Sequence, residues 1–161
     1  DRLGAELPAA PPVLLAALGP KMLQLAGERT AGTITWMTGP RTIESHVAPT
    51  IGAAADGAGR GAPRVVVCLP VCVTDDAVAA RERYAPVIGG YGRIPSYRAM
   101  LDREGVAAPV DLAVIGGEQQ VGEALTGLFS AGATDVAGIP IGTVEERAAT
   151  VALLGTLARS S

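Results

Sequence analysis

Aromatic side chains are scarce: one Trp, three Tyr and one Phe, 3% of 161 residues. A core with so few rings must be aliphatic and alanine-filled, which suits helices packed closely on a parallel sheet. Cysteine is nearly absent too. Cys68 and Cys72 fall on one face of an expected strand, roughly 13 Å apart by the strand rise. That separation excludes a disulfide. Neither thiol has a CxxC neighbour or a His partner, so no metal or redox role is expected, and the chain reads as cytoplasmic. The net charge is −3 and no basic stripe carries interleaved aromatics, so nucleic acid is not an expected partner. No apolar run approaches the roughly 20 residues that span a bilayer, and no signal peptide is visible. Also missing are a Gly-rich dinucleotide fingerprint, a paired-carboxylate site, and any Ser/His/Asp or Cys/His arrangement. The single His, His46, is expected on an outer helix without a catalytic role.

What the chain does have is a short pattern used twice. Val13–Leu18 is an apolar run followed by Gly19-Pro20-Lys21, and Gly32–Thr38 is followed by Gly39-Pro40-Arg41. Each run suits a strand buried on both faces. The glycine turns the backbone sharply. The proline opens a helix at its first position, where a missing N–H costs nothing. The unit is strand, tight loop, helix.

The remaining chain continues the alternation. Pro20–Ala26 reads as a helix closed by Gly27 and Gly32. Thr33–Met37 is the second strand. A helix follows from Pro40 to about Ala55, with Pro49 imposing a kink or break at Ala48. Arg64–Val73 is the third strand, and Pro70 predicts a bulge or an early end. Thr74-Asp75-Asp76 caps a helix reaching about Val87. Ser96–Glu104 is a short helix, and Asp111–Ile115 suits a strand or a buried helical turn. Glu118–Ala131 is a helix and Thr134–Ile141 the last strand. Thr143 to Glu146 is a capping box opening a final helix to about Arg159. These are four strand–helix units with a helical insertion after the third strand. Such alternation gives a parallel sheet, either open and doubly wound or part of an eight-unit barrel.

Ala16-Ala17-Leu18-Gly19-Pro20-Lys21-Met22, then Leu25-Ala26-Gly27 and Gly32-Thr33-Ile34-Thr35, resemble the luciferase-like monooxygenase superfamily, in particular its branch using the deazaflavin coenzyme F420. Val65–Arg81 and Ala131–Asp135 are similar to the approach to that family's last two strands. The resemblance implies an α/β fold, the C-terminal half of a (β/α)8 TIM barrel. Residues 13–161 would supply strands five to eight, and 1–12 a loop from a missing N-terminal half.

It also implies a site. Barrel sites lie at the C-terminal ends of strands. The matching positions, Ala16, Ala17, Leu18, Gly19 and Pro20 on the first rim and Trp36, Met37, Thr38 and Gly39 on the second, line the deazaflavin or flavin pocket. Small residues admit a flat ring, and the helix starts, with the Thr38 hydroxyl beside one, suit a phosphate. In the family's sugar-phosphate dehydrogenases a Lys follows the glycine matching Gly39; here Pro40 stands there, against a sugar-phosphate substrate. The implied cofactor is F420, with FMN as the alternative. The implied activity is hydride transfer to a small organic substrate, or oxygen activation. The expected partners are the missing half-barrel or a second copy in a homo-oligomer, and the chain alone is expected to be inactive. The competing readings are a non-catalytic half-barrel that self-associates and a different phosphate-binding barrel.

Overall fold

The computed structural model describes residues 11–159. Most of the loop expected over 1–12 therefore lies outside the described residues. The order is β1 (Leu14–Ala16), α1 (Pro20–Arg29), β2 (Gly32–Trp36), α2 (Pro40–Thr42), a π-helical segment (Ile43–Val47), α3 (Ala48–Gly57), β3 (Arg64–Val73) and α4 (Ala77–Ile88). A 3-10 segment (Gly89–Arg93), α5 (Pro95–Glu104), a second 3-10 segment (Pro109–Leu112), β4 (Val114–Gly116), α6 (Glu118–Ser130), β5 (Asp135–Pro140) and α7 (Val144–Arg159) complete it.

All strand pairs are parallel. β1 pairs with β2, β2 with β3, and β3 with β5, in rows such as Ala16, Ile34, Val66 and Asp135. Alternate residues face opposite sides. Val65, Val67, Leu69 and Val71 share a buried core with Leu23 of α1, Ile51 of α3, Leu125 and Leu128 of α6 and Leu153 of α7. The opposite face carries Ala16, Ile34, Trp36, Cys68 and Ala137, which are half-buried or exposed, and Ile139, which is 43% exposed. α1, α3, α6 and α7 line the core side of the sheet, as in a barrel wall. This four-stranded unit is the expected one.

The insertion after β3 adds a fifth strand of three residues. The ambiguous stretch 111–115 is both things in turn, a 3-10 turn and then β4, whose residues pair with Val71–Val73. β4 sits on the same edge of β3 as β2. Cys68 gives its carbonyl to Met37 of the β2 side and Thr74 donates to Gly116, while Val71 accepts from Ile141 beyond β5. In a parallel ladder these edges alternate along the strand.

That geometry corrects the expectation for Pro70. β3 runs unbroken through it. The missing N–H faces the edge where β2 has already ended at Cys68 and β4 begins at Val71, so no ladder bond is lost. Pro49 does not break the helix, which runs on from Pro40 to Gly57 with a local change of winding. The disruption is the π-helical turn before Ala48, whose N–H bonds to the Ile43 carbonyl five residues back. Gly27 does not stop α1, which continues to Arg29. A Cβ at Gly27 would stand 2.5 Å from the Ile51 carbonyl oxygen and 2.8 Å from Ala54 Cβ. The glycine is there to let α1 and α3 touch.

Candidate active site

The site builds upward from the ends of β1 and β2. Thr33, inside β2, donates from Oγ1 to the Leu15 carbonyl at 2.8 Å and to that of Ala17 at 3.3 Å. His46, on the π-helical turn, is 7% exposed and lies 2.9 Å through Nε2 from the Leu18 carbonyl. A carbonyl can only accept, so Nε2 carries the proton. The expected outer-ring His is thus a buried strut holding the β1 rim. Its position on a π turn is the kind of local irregularity that often marks a site, and only the neighbouring Pro49 hinted at it.

At the β2 rim, Met37 has φ 55°, a left-handed conformation uncommon outside glycine. It is 1% exposed. Thr38 is fully buried and donates from Oγ1 to the Trp36 carbonyl at 3.3 Å. These two residues fix the turn from which Trp36 projects. Nothing in the residue types Met and Thr announces such a backbone.

Ala16, Ala17, Leu18, Gly19, Trp36 and Cys68 converge on one cavity of about 440 Å³, roofed by Ser96 and Tyr97 from α5. Pro20, Met37, Thr38 and Gly39, the remaining sequence candidates, do not line it. A Cβ at Gly19 would meet nothing within 4 Å, so this corner is open. The Trp36 indole Nε1 is buried without a hydrogen-bond partner, an uncommon state for an N–H donor. Trp36 meets Tyr91 edge-on, with centroids 6.3 Å apart, and Tyr91 meets Tyr97 at 4.8 Å. Three of the chain's five aromatics are gathered at this mouth. The tyrosines come from the insertion, more than 50 residues along the chain, and no sequence spacing pointed to them. Burial pushes the Cys68 thiol and the Tyr97 phenol up. Both therefore stay protonated near neutral pH, and the cavity holds no thiolate.

The two helix starts differ. At α1 no side chain caps the turn, and Met22 and Leu23 direct their N–H groups to the Gly19 carbonyl at 3.1 and 3.0 Å. At α2 the Glu104 carboxylate, from the end of α5, accepts from Arg41 N at 3.1 Å, Thr42 N at 2.8 Å and Thr42 Oγ1 at 2.7 Å. Among the described residues no group of three or more His, Cys, Asp or Glu is placed to hold a metal. No helix there is long and apolar enough to cross a membrane.

Residues 3–135 match the family described as luciferase-like monooxygenase. The chain belongs to that family. Solved luciferase-like structures share its fold. The coenzyme F420-dependent tetrahydromethanopterin reductase from Methanopyrus kandleri is 24% identical with a TM-score of 0.71, over 88% of this chain and 49% of that one. An F420-dependent secondary alcohol dehydrogenase, solved with an F420-acetone adduct, is 17% identical at TM-score 0.67, over 83% and 44%. The oxygenating constituent of a Pseudomonas putida 3,6-diketocamphane monooxygenase, solved with FMN, is 21% identical at TM-score 0.54, over 73% and 38%. The chain therefore spans about half the length of these neighbours, which are (β/α)8 enzymes, and its sheet is half of such a barrel. No curated protein matches the sequence.

Proposed function

We propose that this luciferase-like chain forms half of a flavin- or deazaflavin-dependent oxidoreductase site, with F420 ahead of FMN as cofactor. The observation that carries the reading is the buried, unpartnered Trp36 Nε1 beside a cavity floored by Ala16, Ala17 and Gly19. The cavity size falls in the usual range for small-molecule sites, about 300–1,000 Å³. Alanines and glycine permit a planar ring to approach the backbone, and the indole N–H is a donor with no partner of its own. When bound, the cofactor supplies a hydride, or a reduced ring that meets oxygen. The chain's own part is to hold the ring: Thr33 and His46 fix the β1 rim, and Trp36 and Tyr97 close the side and roof. The open start of α1, with Lys21 in its first turn, suits an anionic tail.

The unit is completed by further strands. Among the described residues β1 pairs only with β2, and β5 only with β3, so each offers a free edge. We propose that an N-terminal half-barrel, or a second copy of the chain, covers those edges, and that turnover requires it. The chain's single tryptophan makes the test direct. Titration with F420 or FMN is expected to quench Trp36 emission saturably, and Gly19→Leu, which fills the open corner, is expected to abolish the quench while leaving the fold intact. Unquenched emission with both cofactors, in the chain paired with its completing half, would refute the reading.

A further inference from the structure

Glu104 stands where a glutamate is unfavourable in its own helix. It is the last residue of α5, and a negative charge there opposes the helix dipole, typically by about 0.3–1 kcal/mol. Gly105 then turns the chain away at φ 81°, leaving the carboxylate facing another element. That element is the start of α2, which runs on through the π turn and α3 as continuous helix from Pro40 to Gly57. Two backbone N–H groups and the hydroxyl of the fully buried Thr42 all point to the carboxylate. Gly39 makes the approach possible, since a Cβ there would lie 2.4 Å from Glu104 Cδ. A donor set of this kind is what a bound anion receives at a helix N-terminus.

We infer that Glu104 is a resident anion, which closes the start of α2 to phosphate- and carboxylate-bearing ligands. The insertion that supplies Tyr91 and Tyr97 also supplies Glu104, so one segment both roofs the first cavity with aromatic rings and fills the second helix start.

The test needs no cofactor, so its outcome is independent of whether the ring site is real. The amide signals of Arg41 and Thr42 are followed by NMR while inorganic phosphate is added to the chain and to Glu104→Ala and Glu104→Gln. In the unaltered chain both amides should stay in place. In Glu104→Ala they should shift saturably, with half-saturation at least about tenfold below any response of the unaltered chain, as expected for a vacated helix start. The glutamine variant keeps the shape and should respond in the same direction, more weakly. An equal response by the unaltered chain, or a folded alanine variant whose two amides ignore phosphate, overturns the inference. Should the alanine variant be unfolded, refolding in phosphate supports it. Failure to refold, together with an unresponsive glutamine variant, overturns it.

Discussion

The two Gly-Pro turns, 20 residues apart in the chain, begin as copies and end as opposites. At the first, Gly19 has open space around it, and Met22 satisfies its N–H within its own turn. At the second, Gly39 is packed against Glu104, and Thr42 turns both of its donors outward to that carboxylate. The same local sequence makes the same local backbone, a proline-led helix after a strand. What separates the copies is a side chain that arrives 63 residues later. Motif repetition therefore establishes equivalent geometry without establishing equivalent chemistry.

The strongest way to break this contrast is to place the same methyl group at both turns. Gly39→Ala should displace Glu104 and lose the charged cap, costing about 1.5–3 kcal/mol in urea unfolding, the usual range for hydrogen bonds to a charged group. Gly19→Ala should change stability by no more than about 1 kcal/mol and in the stabilising direction, since its native φ of −79° suits any residue. Equal effects would mean that the turns are equivalent after all. A smaller change is expected from the strut that fixes the first turn. His46→Phe keeps the ring but leaves the Leu18 carbonyl without its donor, which should cost about 1 kcal/mol. In the assembled protein it should also weaken quenching of Trp36 by the cofactor, while Glu104→Gln leaves that quenching unchanged.

The smallest effect sharpens the contrast with a third helix start, that of α7, which is closed from within its own turn. Glu146 accepts from Thr143 N at 2.7 Å and from Thr74 Oγ1 at 2.9 Å, and pairs with Arg83 at 2.6 Å. The Thr143 N–H above all, then Thr74 and Arg83, hold its carboxyl below the usual carboxylate range. A group lowered on folding adds stability that is complete above its ordinary value of 4.5 and lost as pH falls through the lower folded value. Thermal melts should show the unaltered chain losing its advantage over Glu146→Gln as pH drops below about 4.5. A gap that stays constant down to low pH would show that the cap is steric.

Much of this molecule is written locally. Strand–helix alternation, the two proline-led turns, the Asp76 cap on Ala79 at 3.0 Å and the Thr143–Glu146 box follow from residue type and spacing. The grouping of Ala16, Ala17, Gly19 and Trp36 came from the resemblance to the family and not from spacing, and the four line one cavity. What the sequence hid is long-range. Glu104 read as an ordinary helix end, because nothing in Ser96–Glu104 reveals which surface that end will meet. Tyr91 fell between expected elements and Tyr97 on the short helix Ser96–Glu104, with nothing local to show what either would meet. Pro70 looked like a strand breaker because a proline's cost depends on which neighbour its missing N–H faces, and that is a property of the sheet. Met37 gave no sign of its left-handed backbone, since only tertiary packing holds a methionine there.

Pro70 has one further consequence. Hydrogen bonding between β2 and β3 closes like a zipper from the Arg64 end, and the proline is the tooth that is missing. β2 ends before it, and the last stretch of that edge pairs with the strand that the insertion brings. The residue that cannot donate thus occupies the one gap in that ladder, between the berth of β2 and that of the insertion.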